Sequence, residues 1–202
     1  MISFYKPTER VTGTALSFYL NKNDKNAKDG FSFWGELLKQ ASWDNSKRQG
    51  DFRANKKVSG KNINIKFSQT EIASFIDAME RNTEFTGYHG SNQVVRFSFG
   101  PYIPKKQVKG EWVEGKEQKG FSFRVTREDK EDSTNKASFV IALNYGEAVL
   151  LKTYLRHALK ESFNLVDKKR EEYFKNNYNK QGSNSPQEEY VQPVEVEEDD
   201  LW

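Results

Sequence analysis

"NINIKFSQTEIASFIDAME" (residues 62–80) changes its period halfway along. Ile63, Ile65 and Phe67 alternate with Asn62, Asn64 and Lys66, which predicts a strand with one buried face. Beyond it, Ile72, Phe75, Ile76 and Met79 recur at the spacing of one helical face. Ser68 stands at the junction, three residues before Glu71. That is the spacing of a capping box, in which each side chain bonds the other residue's backbone N–H. The stretch therefore predicts a strand, a capped start and a helix.

The same order returns in "SFVIALNYGEAVLLKTYLRHAL" (138–159). Phe139, Ile141 and Leu143 alternate, Asn144 precedes Glu147 by three, and Ala148, Leu151, Leu155, Ala158 and Leu159 share a helical face. Ile63 and Phe139, Ile65 and Ile141, Phe67 and Leu143, Ser68 and Asn144, and Glu71 and Glu147 are each 76 residues apart. So are Phe75 and Leu151, and Met79 and Leu155. One unbroken offset with a shared glutamate predicts an internal duplication. Further strands are expected in "VTGTALSFYL" (11–20), "GFSFWGELLKQASW" (30–43) and "GDFRANKK" (50–57) of the first half. In the second half they are expected in "EFTGYHG" (84–90), "QVVRFSFG" (93–100) and "KGFSFRVTRE" (119–128).

The expected fold is thus α+β, four antiparallel strands followed by a helix, twice. The repeats cover about residues 11–82 and 84–163 within a domain of residues 1–165. Residues 101–120 read as a long basic loop, and "DKKREEYFKNNYNK" extends the second helix over 166–180. Residues 181–202 carry two prolines and dense negative charge, the composition of a disordered acidic tail. The alternative fold is a five-stranded oligonucleotide-binding (OB) barrel, against which the repeated strand–helix unit argues.

Composition narrows the chemistry. The 202-residue chain has no cysteine and only two histidines, His89 and His157, so neither a disulfide framework nor a zinc centre is expected. No glycine loop followed by Lys-Ser/Thr appears, and no cofactor is expected. The acid pairs Glu128–Asp129 and Glu131–Asp132 read as a solvated turn, and His157 as a helix residue; the chain is not expected to be an enzyme. Nothing approaches the roughly 18 apolar residues of a membrane span, and "MISFYKPTER" lacks a secretory pattern, so an intracellular protein without a membrane partner is expected.

The net charge of +3 conceals an asymmetry. Seven acids and no Lys or Arg lie in 187–202, which leaves residues 1–186 with 32 bases against 22 acids, a net of +10. A basic body with an acidic tail points to nucleic acid and a second interaction. The strands agree with this. Opposite their apolar faces lie Tyr19, Trp34, Lys66, Arg96 and Arg124. Rings and cations on an exposed sheet suit a single strand, whose bases stack on rings while Lys and Arg meet phosphates. Interleaved basic and aromatic residues add Trp43, Phe52, Arg53, Lys56, Lys57, Tyr102, Lys105, Lys106 and Trp112 to the expected contact set.

The final stretch offers Glu197, Glu198, Asp199 and Asp200 before Leu201 and Trp202. Such a peptide suits docking of the ring in an apolar pocket rimmed by cations, or competition with DNA for the chain's own basic surface. "EEDDLW" resembles the acidic, aromatic-ended tail of bacterial and bacteriophage single-stranded-DNA-binding proteins, with Trp in place of their usual Phe. That resemblance implies recruitment of replication proteins such as a polymerase, primase or helicase, and a phage-encoded chain working in the cytoplasm or at the nucleoid of a bacterial host.

The body resembles the Whirly family and the related positive-cofactor-type coactivators. "NIKFSQTEIASFI" is similar to the Whirly strand followed by Ser/Thr-Glu-Ile at a helix start, and "SFVIALNYGEAVLL" to the second such unit. Where Whirly proteins carry Lys-Gly-Lys on an early strand, this chain reads Thr12-Gly13-Thr14. The resemblance implies two antiparallel sheets with helices packed behind, single-stranded-DNA binding, and a homodimer or higher oligomer built through the helices. The function expected is sequence-nonspecific single-stranded-DNA binding in replication, recombination or repair. The alternative is a transcription regulator or RNA-binding module on the same scaffold.

Overall fold

The structure, a computed structural model, describes residues 1–90, 93–108, 110–130 and 136–182. The chain divides into two units, Met1–Leu165 and Val166–Trp202. In the first unit β1 (Ile2–Lys6), β2 (Thr14–Asn21) and β3 (Ser32–Lys39) form an antiparallel meander. A small hairpin follows, β4 (Ser42–Asp44) with β5 (Gln49–Asp51), and then β6 (Asn62–Phe67) pairs with β3. Helix α1 (Gln69–Arg81) closes the first half. The second half begins with β7 (Phe85–Gly90) and β8 (Gln93–Tyr102), and inserts its hairpin of β9 (Lys105–Val108) and β10 (Glu111–Glu114) one strand earlier. It continues through β11 (Gly120–Asp129), β12 (Lys136–Leu143) and α2 (Tyr145–Gly182). The sheet orders, β1-β2-β3-β6 and β12-β11-β8-β7, are one connectivity used twice. In the second unit the helix carries exposed Tyr173 and Phe174, whose rings lie 5.9 Å apart.

Three expectations are corrected. The first strand is Ile2–Lys6, outside the predicted repeat boundary, whereas "GDFRANKK" is the end of β5 and a 3-10 turn at Arg53–Asn55. The short strand Ile2–Lys6 buries only Phe4 fully, so its alternation is faint in sequence. Residues 101–120 are not one long loop: β8 runs on to Tyr102 and a hairpin occupies 105–114. Gly110, at φ 91°, takes the left-handed backbone that this hairpin turn needs. Glu128 and Asp129 likewise belong to β11 rather than to a turn.

Strand register aligns the repeats residue by residue. Starting from the 76-residue offset between β6 and β12, Glu36 opposite Asn64 corresponds to Arg124 opposite Val140. Continuing outward, Ser17 corresponds to Ser98, Ala15 to Arg96, and Tyr5 to Tyr88. The core side keeps its volume by exchanging sizes. Where β1 and β2 pair Phe4 with Leu16, β7 and β8 pair Gly87 with Phe97. The Phe97 ring lies across Gly87 so closely that a Cβ there would sit 2.1 Å from Cζ.

Phe75 on α1 is fully buried and joins the layers. Its ring lies 5.5 Å from Phe18 and 5.3 Å from Phe67 of one sheet, and 5.2 Å from Phe99 and 5.4 Å from Phe123 of the other. Ile72 and Ile76 of α1, and Ala148, Leu151, Leu155 and Ala158 of α2, complete this core.

Both capping boxes form. The Glu71 N–H donates to Ser68 Oγ at 3.2 Å and the Ser68 N–H to Glu71 Oε2 at 2.8 Å. In α2 the Glu147 N–H donates to Asn144 Oδ1 at 2.9 Å and the Asn144 N–H to Glu147 Oε2 at 2.8 Å. Each capping glutamate also reaches the first strand of the other repeat. Glu71 meets His89 Nε2 at 2.7 Å, and Glu147 meets Lys6 Nζ at 2.5 Å. Lys6 and His89 are equivalent positions, so the two repeats are latched to each other by matching clamps. Glu80 and Arg156, 76 residues apart and hence equivalent, pair directly between the helices.

Candidate nucleic-acid interface

The outer face of the first sheet carries one row built from three strands. Tyr19, Trp34 and Lys66 lie directly opposite one another on β2, β3 and β6. The row is held in place from one end. Trp34 Nε1–H donates to Ser32 Oγ at 2.8 Å, and the Ser32 hydroxyl donates to Asp24 Oδ2 at 2.6 Å. Lys66 Nζ lies 3.3 Å from the same carboxylate oxygen and 5.9 Å from the centre of the Trp34 ring. The Ser32 hydroxyl, the Asn26 N–H and Lys66 together hold the Asp24 carboxyl below its ordinary pKa. Burial, then the neighbouring Glu36 carboxylate, pushes the Tyr19 phenol up, so it stays a neutral ring at any ordinary pH. The result is an oriented, half-buried indole with an exposed ammonium beside it.

On the second sheet the outer face is a groove of about 600 Å³ lined by Thr86, Tyr88, Arg96, Ser98, Arg124 and Thr126. Tyr88 is 58% exposed. A Cβ on Gly90 would lie only 2.6 Å from the phenol oxygen, so the side chain runs along its own strand with its phenol end beside Gly90. The Arg96 guanidinium carbon stands 5.8 Å from the ring centre. Its nearest carboxylate, Glu128, is 3.8 Å away and closer to Lys136, at 3.0 Å. Arg124 is exposed and has no carboxylate partner among the described residues.

The other expected contact residues are scattered. Trp43 is half-buried on β4, and Tyr102 half-buried at the end of β8. Arg53, Lys56, Lys57 and Lys105 are exposed, with Arg53 held 3.0 Å from Asp51. Phe52 is a correction: at 5% exposure, with its ring 5.8 Å from that of Tyr5, it packs inside and offers no face to a base. The side chains of Lys106 and Trp112, and the whole of Glu197, Glu198, Asp199, Asp200, Leu201 and Trp202, lie outside the described residues. Tyr5 and Tyr88 are two further exposed rings outside the expected set, although alternation in "EFTGYHG" already sets Tyr88 opposite Phe85 and His89. No cluster of metal-binding side chains is found among the described residues, and no helix there is long and apolar enough to cross a membrane.

No protein-family profile and no curated protein sequence matches the chain. Its fold does have counterparts among solved structures. The WHY3 protein of Arabidopsis thaliana is similar with a TM-score of 0.55 at 14% identity, covering 84% of this chain and 91% of that one. WHY1 of the same plant gives 0.53 at 15% identity, covering 78% and 81%. The plant transcriptional regulator PBF-2 gives 0.52 at 16%, covering 78% and 79%. The chain therefore has a Whirly-like fold, as the two strand–helix units led us to expect.

Proposed function

We propose that the protein binds single-stranded DNA without sequence preference and protects it stoichiometrically, with no catalytic turnover. The observation that carries this reading is the pair of outer sheet faces, where rings and cations stand side by side in cross-strand register. Unpaired bases need ring faces and phosphates need cations, while a duplex conceals its base faces. Single-strand binding is also what the resemblance to Whirly proteins implies. The acidic-aromatic stretch from Glu195 to Trp202 serves, in this reading, to recruit replication proteins such as a polymerase, primase or helicase. The same stretch competes with DNA for the basic body when no partner is bound. Replication, recombination or repair in a phage-infected bacterial cytoplasm is the setting that such a tail fits. Exposed Tyr145, Val149, Leu150 and Phe163 on α2 supply an apolar surface for a homodimer or higher oligomer.

A second reading has a specific support. PBF-2 is described as a plant transcriptional regulator and shares the scaffold. Regulation of transcription through the same sheet faces would show as preference for particular sequences.

The test is fluorescence anisotropy with labelled oligo-dT, duplex DNA, oligo-U and mixed-sequence strands over a salt series. The full chain is compared with one ending at Pro186. Tight, salt-sensitive binding to oligo-dT, tightened by truncation, is expected. Equal binding to duplex and single strand overturns the proposal, and strong sequence dependence favours the second reading.

A further inference from the structure

Resting on that reading, we propose that the groove over Tyr88 is a one-nucleotide subsite that the first sheet does not duplicate. In this subsite the base stacks on the Tyr88 ring and its phosphate sits between Arg96 and Arg124.

The argument begins with the ring. Tyr88 is 58% exposed on the outer face of the sheet, with its phenol end beside Gly90, so the ring is accessible to a base. Arg96 stands at the ring and Arg124 on the next strand, diagonal to it, since Arg124 pairs with Ser98 and Arg96 with Thr126. Both guanidiniums therefore border the same groove. Arg124 has no carboxylate to satisfy it among the described residues, and Arg96 shares Glu128 with a closer lysine. Two under-neutralised guanidiniums beside an open ring match the chemistry of a nucleotide monophosphate unit within a strand. Thr86, Ser98 and Thr126 add hydroxyls to the lining, which suits a polar base edge.

The equivalent place on the first sheet lacks the cations. It keeps a tyrosine, Tyr5, exposed to 60%, but the positions of the two arginines hold Ala15 and Glu36. Ala15 is buried, and Phe52 packs against the tyrosine ring. Ser3 and Ser17, equivalent to Thr86 and Ser98, spend their hydroxyls on each other at 2.8 Å. A carboxylate where the second sheet has a guanidinium repels phosphate.

The test measures oligo-dT affinity of the full chain and of Tyr88→Ala, Tyr88→Phe, Arg124→Gln and Tyr5→Ala, with circular dichroism to verify folding. Tyr88→Ala is expected to weaken binding about tenfold, within the range of one lost base stack, and Tyr88→Phe to bind as the parent does. Arg124→Gln is expected to lower the slope of log affinity against log salt by about 0.7, one phosphate's worth on a single strand. Tyr5→Ala is expected to stay within about twofold, as a side chain away from the bound strand should. Parent-like binding by Tyr88→Ala, or equal losses for Tyr5→Ala and Tyr88→Ala, overturns the subsite while leaving single-strand binding intact. A parent chain that fails to bind oligo-dT overturns both.

Discussion

The outer faces of the two sheets share a tyrosine at one equivalent position and differ where their other rings and cations stand. The first sheet gathers its rings in the row Tyr19, Trp34 and Lys66, whose counterparts in the second are Gly100, Ser122 and Ala142. The second gathers its cations at Arg96 and Arg124, whose counterparts in the first are Ala15 and Glu36. A duplicated scaffold thus carries two complementary half-surfaces, one strong in stacking and one strong in charge. Duplication preserves what packs inward, because the shared core couples both copies. It leaves the outward positions free to diverge, since an exposed substitution typically changes stability by only about 0.5 kcal/mol.

The sharpest way to break this comparison is to remove what the repeats hold in common. Phe75→Ala leaves a cavity facing both sheets and is expected to cost about 3–5 kcal/mol. Because the ring touches both halves, chemical denaturation followed by near- and far-ultraviolet dichroism should still give one transition. Two separate transitions would show that the halves fold independently.

Next in size is the exchange of volumes on the first strands. Gly87→Ala drives a methyl group into the Phe97 ring and is expected to cost about 1–3 kcal/mol. Combining it with Phe97→Leu, the residue at the equivalent first-sheet position, should recover part of that loss. A strictly additive double variant in urea titrations would contradict the compensation.

The cross-repeat clamps should matter less. Glu147→Gln keeps the acceptor for the helix start but discharges the bridge to Lys6, and a loss of about 0.5–1 kcal/mol is expected. Parallel titrations of Glu71→Gln, which discharges the bridge to His89, show whether the two clamps are equal in strength as well as in position.

The smallest effect concerns acid. Asp24 has a depressed pKa, so the stability it contributes is full above its ordinary carboxylate range. That contribution is lost as pH falls through the lower, folded-state value. Fluorescence of Trp34, isolated by replacing the other tryptophans with Phe, should therefore stay constant from neutral pH down past about 4, the ordinary Asp value. It should change only on further acidification, when Ser32 and Lys66 lose their shared partner. A change centred near pH 6 would deny Asp24 this role.

The fold was legible where periodicity was strong. The strand–cap–helix units around Glu71 and Glu147 announced both helices, the edge strand that precedes each and the offset relating them. That Tyr19, Trp34 and Lys66 lie opposite the apolar faces of their strands followed from alternation; their alignment in one row needed the register. What escaped was local or relational. Ile2–Lys6 has too few residues for its period to stand out, whereas "GDFRANKK" reads as a strand in sequence, with Phe52 as an exposed ring, although Phe52 is buried. Tyr5 and Tyr88 become a pair only once register is known, because their separation of 83 residues differs from the 76 that the helices keep. Indels in the connecting hairpins shift each strand pair by a different amount, so no single offset reveals them.

The bond between Glu80 and Arg156 joins a position to its own copy. In an assembly of two identical subunits that place would sit near the symmetry axis, and each residue would face its twin: glutamate against glutamate, or arginine against arginine. Like charges there repel, and no single amino acid supplies both halves of an ion pair. Placing both copies on one chain lifts this restriction, because each can mutate without dragging the other along. The salt bridge between the helices is in this sense a product of tandem fusion, available to a gene that encodes both halves and closed to one that encodes a single half used twice.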